Sequence, residues 1–190
     1  MLTRLLPSPP PGWQGPPAAE SRGGPRFLQP AAVLIGLAAY GEEIKVILTQ
    51  RTAALRDHSG QIAFPGGKIE PCDTSPAAAA MREAKEEIGL DMRHIEPLGY
   101  LDSVPTGTGF CIFPFVAKVS TPFDLRINPD EVEDAFEVPF AFLMDPANHA
   151  LLHKEFDGKP RKFHAMPYGE RYIWGVTAGI LRNLYERLYC

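Results

Sequence analysis

The segment TSPAAAAMREAKEEIGL, residues 74–90, carries boundary signals at both ends and so constrains the fold more than any other stretch. Ser75 has a side-chain oxygen suited to accept from a free N–H of a first helical turn. Pro76 fits the first helical position, and Gly89 fits the left-handed position just past a helix end. Ala77, Met81, Ala84 and Ile88 recur at helical spacing, which predicts an inward face made of these four. The same helix crowds Glu83, Glu86 and Glu87 near its C-terminus, where spacings of three and four residues project them from one side. Each like-charged neighbour costs roughly 0.2–0.5 kcal/mol. The negative end of the helix dipole adds about 0.3–1 kcal/mol. Arg82 and Lys85 lie on another sector and offset only part of this.

Such a cluster is either a solvated charged face or a site for a hard cation. Clustered carboxylate oxygens suit Mg²⁺ or Mn²⁺, and ligation turns their repulsion into attraction. Because Mg²⁺ shares its shell with water and phosphate, such sites often serve phosphoryl chemistry. Upstream, FPGGKIE sets Gly66 and Gly67 directly after a short predicted strand, as a glycine turn. Adjacent glycines let the backbone approach an ion or a phosphate closely. Taken with the glutamate helix, they favour the metal reading.

The rest of the chain supplies a scaffold. AAVLIGLAAY and GEEIKVILTQR read as two strands joined at Gly41, and HIEPLGYLDSV and GFCIFPFVAKV as further strands. A short element around VPFAFLMD precedes a hairpin, ALLHKEF and RKFHAMPY, turning at Asp157-Gly158. Residues 173–188 read as a closing amphipathic helix. Hairpins interspersed with two helices predict α+β, a mixed sheet between helices. Residues 1–29 hold seven of the twenty prolines and form a Pro-rich N-terminal arm, floppy or lying extended over the surface. Residues 30–190 form the domain.

A net charge of −4 argues against a nucleic-acid or membrane binder, so an anionic ligand needs locally placed cations. The longest apolar run has ten residues, well short of the ~18 of a membrane span. Cys72, Cys111 and Cys190 are odd in number and lack a CxxC pair, which fits a reducing compartment. The expectation is a cytoplasmic protein, its oligomeric state left open.

From Gly67 to Leu90 the sequence resembles the Nudix box, G-x5-E-x7-R-E-U-x-E-E-x-G-U, with U aliphatic. Arg82, Glu83, Glu86, Glu87, Gly89 and Leu90 stand at their places. Asp73 replaces the first glutamate, and one extra residue separates it from Arg82. ILTQRTAALRDHSGQIAFPGG, residues 47–67, is similar to the signature of the coenzyme A pyrophosphatase branch, LLTxR[SA]-x3-R-x3-G-x3-FPGG. Leu48, Thr49, Arg51, Arg56, Gly60 and Phe64 to Gly67 match, while Thr52 replaces Ser or Ala.

The resemblance implies an α/β/α sandwich, and Mg²⁺- or Mn²⁺-dependent hydrolysis of coenzyme A to 3′,5′-ADP and 4′-phosphopantetheine. It implies metal ligation by Glu83, Glu86 and Glu87 with the Gly67 carbonyl, and an Arg82 ion pair that braces the loop. Gly66 falls on the substrate side. For the proton acceptor, Glu83, Glu86 and Glu131 are candidates; Glu131 reads equally as a solvated loop acid beside Asp130, Glu133 and Asp134. Arg51 and Arg56 suit the 3′-phosphate, since a guanidinium fork matches phosphate oxygens. His58, within the signature, reads as a substrate contact or a surface residue. His149 and His153 do not read as a zinc pair, and Trp174, Tyr185 and Tyr189 read as helix packing. Three alternatives stay open: a Nudix hydrolase of ADP-ribose or a nucleoside triphosphate, a Nudix-fold binding module without turnover, and an adaptor acting through residues 1–30.

Overall fold

The structure, a computed structural model, describes residues 4–15, 28–52, 60–156 and 159–190. The predicted first hairpin forms: β1 (Gln29–Tyr40) and β2 (Glu43–Arg51) pair antiparallel around Gly41. After β3 (Ile62–Ala63), the two glycines do not make a plain turn. They open a short strand, β4 (Gly66–Lys68), antiparallel to the first residues of β1. Strand β1 thus has β2 along its second half and β4 along its first, and the sheet splits between them.

Helix α1 (Pro76–Ile88) begins and ends where its caps require. Ser75 accepts from the Ala78 N–H, and Gly89 adopts the left-handed conformation. The inward face is rotated from the expected one. Pro76, Ala79, Ala80, Ala84, Glu87 and Ile88 are buried, while Ala77 and Met81 are only half-buried. The small alanines let the helix pack closely on β1, which turns Glu87 inward and leaves Met81 at the margin.

Strands β5 (Ile95–Tyr100), β6 (Val104–Pro105) and β7 (Phe110–Ser120) follow. β7 runs parallel to β1 over its whole length, and the other pairings are antiparallel. The element expected around VPFAFLMD begins earlier, as strand β8 (Val132–Pro139) on the outer side of β2. Next come the short helix α2 (Phe140–Leu143) and the second hairpin, β9 (Ala150–Phe156) with β10 (Lys159–Tyr168). The Asp157-Gly158 turn itself falls outside the described residues. Ile173 and Trp174 belong to a further strand, β11 (Arg171–Trp174), so the closing helix α3 starts later than expected and spans Gly175–Tyr189.

Alternation along the central strands makes two cores. Ala32, Leu34 and Ala38 of β1, with Phe113, Phe115, Ala117 and Val119 of β7, face α1. Ile35 and Leu37 of β1, with Val46 and Leu48 of β2, face Ala178, Leu181, Leu184 and Leu188 of α3. Strands covered on both faces read as continuous apolar runs, as AAVLIGLAAY does. Each fully buried Leu or Ile contributes about 1.5–3 kcal/mol. The outcome is the expected mixed sheet between helices, with a three-stranded sheet, β11-β10-β9, beside it. Thr177 on α3 donates to the Ile62 carbonyl at 3.0 Å, and Arg171 on β11 donates to Gln50 and Asp134, joining the two sheets.

The described part of the Pro-rich segment lies against the domain and turns at Pro10, whose carbonyl accepts from the Trp13 N–H at 3.3 Å. Leu5 is buried, Leu6 bridges Tyr100 on β5, and Trp13 sets its ring edge to Phe113 at 5.7 Å.

Candidate active site

The C-terminal half of α1 meets the split in the sheet, and three acids converge there. Carboxylate oxygens of Glu83, Glu87 and Glu131 lie within 4.8 Å of one another. Glu87 is the deepest, its side chain only 3% exposed. One of its oxygens accepts from the Gly66 N–H at 3.1 Å, and the other stands 3.6 Å from the Arg51 guanidinium at the end of β2. Burial pushes the Glu87 carboxyl up to about 7; the Gly66 N–H and Arg51 oppose this, and Glu83 and Glu131 reinforce it. Glu83 is raised as well, by burial first, with Arg82 pulling the other way.

Both glycines are required by proximity. A Cβ on Gly67 would sit 2.5 Å from the Glu83 carboxylate, and one on Gly66 would sit 2.3 Å from the Ala32 carbonyl oxygen. A side chain at Gly67 would displace the Glu83 carboxylate, and one at Gly66 would force β4 off β1.

Glu131 reaches the trio through the end of α1. The last carbonyls of a helix have no partner within it. Here Arg126 N–H donates to the Ile88 carbonyl and Asn128 N–H to the Glu87 carbonyl, each at 2.8 Å. The segment that caps the helix therefore carries Glu131 against it. The Thr52 N–H then holds the Glu131 carbonyl at 3.1 Å, tying the same loop to the end of β2.

Glu86 points elsewhere. Its side chain is 53% exposed and meets Arg82 at 2.9 Å, so it stands outside the trio. Arg82 spends all five of its N–H donors. Nε and Nη2 hold the two Asp73 oxygens, Nη2 also holds the Lys68 carbonyl, and Nη1 holds Glu83 and Glu86. Burial acts to raise Asp73, but Arg82 and the Glu70 N–H outweigh it and hold that carboxyl below its ordinary range. The aspartate with its extra residue thus closes the loop onto Arg82, as the expected brace.

Arg56 and His58 lie outside the described residues. His149 is turned to the Leu143 carbonyl at 2.7 Å, away from the trio. Trp174 sits on β11, not on a helix, with its ring edge to Phe163, while Tyr185 and Tyr189 stack along α3. Asn128, which organises the Glu131 loop, is signalled in the sequence only as the start of an Asn-Pro turn.

Three converging carboxylates with oxygen donors only fit a hard divalent cation. Glu83, Glu87 and Glu131 are the residues that would hold it. The NUDIX domain family profile matches residues 28–168.

The chain belongs to the Nudix hydrolase family.

NudL, an uncharacterised Nudix hydrolase of Escherichia coli O6:H1, is 37% identical over 154 residues, covering 81% of this chain and 80% of NudL. Two solved structures share the fold. The Nudix domain of Shewanella oneidensis NrtR, complexed with ADP ribose, aligns with a TM-score of 0.55 at 17% identity, over 90% of this chain and 94% of that one. DR0079 from Deinococcus radiodurans gives a TM-score of 0.55 at 14% identity, over 88% and 90%. This Nudix hydrolase acts on diphosphate bonds, and enzymes of the family generally use divalent ions such as Mg²⁺ or Mn²⁺. Among the described residues, no helix is long and apolar enough to cross a membrane.

Proposed function

We propose that this Nudix hydrolase cleaves the diphosphate of coenzyme A or its derivatives, releasing 3′,5′-ADP and 4′-phosphopantetheine. The observation that carries the reading concerns Arg51, the first arginine of the 47–67 signature. It ends β2 beside the carboxylate trio, 3.6 Å from Glu87. Among the described residues its side chain meets only that carboxylate, and 29% of it is exposed, so its fork is accessible to a phosphate.

In this reading Glu83, Glu87 and Glu131 hold Mg²⁺ or Mn²⁺, with the Gly67 backbone alongside. The ion supplies positive charge against the diphosphate and lowers the pKa of a water. Water adds to one phosphorus and the bridging P–O bond breaks. Glu131 takes the water's proton, because its side chain meets a neutral amide, Asn128 at 3.4 Å, where Glu83 and Glu87 each face a guanidinium. Glu86 stays at the rim with Arg82, and Arg51 with Arg56 receives the 3′-phosphate.

The test is incubation of the full chain with coenzyme A and Mg²⁺ or Mn²⁺, products resolved by chromatography, beside a Glu87→Gln control. Release of 3′,5′-ADP that vanishes in the control is expected. Turnover of ADP-ribose without turnover of coenzyme A would replace this reading with the second one, for which the ADP-ribose complex of the NrtR domain is the precedent. Binding of both without turnover would make the chain a binding module.

A further inference from the structure

Asn128 makes five directed contacts around the trio. Its N–H donates to the Glu87 carbonyl at 2.8 Å. Its carbonyl accepts from the Glu131 N–H at 3.1 Å and the Val132 N–H at 2.9 Å. Its side-chain oxygen accepts from the Asp130 N–H at 3.2 Å, closing a local turn. That leaves the side-chain amide directed at the Glu131 carboxylate, with Nδ2 3.4 Å from Oε1.

We propose that Asn128 is a positioning residue that holds the Glu131 carboxylate against Glu83 and Glu87. The inference rests on the reading that Glu131 belongs to the metal-holding trio. Its physical basis is the geometry of a loop acid. Glu131 lies on no helix and immediately precedes β8, so the backbone alone does not choose its rotamer. Two neighbouring carboxylates repel it, and the free side chain would turn to solvent. A neutral donor on one of its oxygens opposes that turn and leaves the other oxygen directed at the site. Because the same residue is bonded through its backbone to the carbonyl of Glu87, the donor is placed relative to Glu87 and not relative to the loop. A lysine there would ion-pair with Glu131 and compete with the cation; an amide orients it without competing.

The test titrates Mn²⁺ into the metal-free full chain by calorimetry. Asn128→Ala removes the donor and the turn acceptor. Asn128→Ala is expected to weaken Mn²⁺ binding by about tenfold, as loss of an orienting partner of a metal ligand does. Glu131→Gln is also expected to weaken it, and adding Asn128→Ala to Glu131→Gln should then weaken it no further. A merely structural role would give additive losses. Additive losses, or unchanged or tighter binding in Asn128→Ala, would overturn the proposal while leaving Glu131 in the trio. Unchanged binding in Glu131→Gln would instead remove Glu131 from the trio, and the proposal with it.

Discussion

Arg82 and Arg51 both face the glutamates of α1, and they are used in opposite ways. Arg82 is saturated, its five donors divided among Asp73, Glu83, Glu86 and the Lys68 carbonyl. Arg51 makes one contact among the described residues, to Glu87, at a distance longer than a hydrogen bond. A saturated guanidinium fixes structure and has nothing left for a ligand. A sparsely engaged one beside converging acids has capacity to spare. The lesson is that a charged cluster divides by which donors are already spent, not by which residues carry charge.

The strongest challenge to this contrast is Glu87→Gln. It should lower kcat/KM on the order of 10³-fold, the scale on which a preorganised charged group acts. The metal-free protein should unfold at a higher temperature at pH 8, because a buried acid under desolvation strain has been replaced by a neutral amide. Initial rates on coenzyme A check the first half, and scanning calorimetry in the presence of chelator checks the second.

Arg82→Ala should destabilise the fold by about 3–5 kcal/mol, read by urea denaturation, because it orphans a buried Asp73 carboxylate. Lysine should not restore it, since three ammonium donors cannot reproduce a planar five-donor fork.

Arg51→Ala should cost less stability than Arg82→Ala, because its contact with Glu87, at 3.6 Å, is longer than a hydrogen bond and the Gly66 N–H still holds that carboxyl. It should raise the KM for coenzyme A about tenfold, the value of one lost charged hydrogen bond. A smaller rise on 3′-dephospho-coenzyme A locates the contact at the 3′-phosphate; equal rises on the two would remove that role.

The gentlest probe is pH. The folded Glu87 carboxyl lies at about 7, above its unfolded value, so the folded protein holds a proton that the unfolded chain has released. Its contribution to stability is complete below about pH 4.5 and is lost as pH rises through 7. Metal-free protein should therefore show a falling stability across that window, and Glu87→Gln should flatten it. A slope that survives the substitution would assign it to another group.

Much of this was legible along the chain because it is local. Ser75, Pro76 and Gly89 specify where α1 starts and stops through hydrogen bonds reaching no more than a turn. The spacing of Glu83 and Glu87 on one side of a helix follows from its pitch. The first hairpin and the strand alternation need only period two and a glycine. The Nudix box and the 47–67 signature were readable for the same reason, as fixed spacings within short segments.

What the tertiary structure decided lies between segments. Close packing of alanines on β1 rotated α1 so that Glu87 went inward and Glu86 went to Arg82, a choice the helix alone leaves open. Strand β8, rich in acids, formed because β2 offered an open edge and Val132 and Val138 could be buried against it. Gly66 and Gly67 became a strand because β1 needed a partner along its first half. Glu131 joined Glu83 and Glu87 across more than forty residues because the loop before it capped the helix. Spacing along a chain sets which groups can share a helix face. Only the burial of whole surfaces sets which face turns inward and which distant acid arrives to meet it.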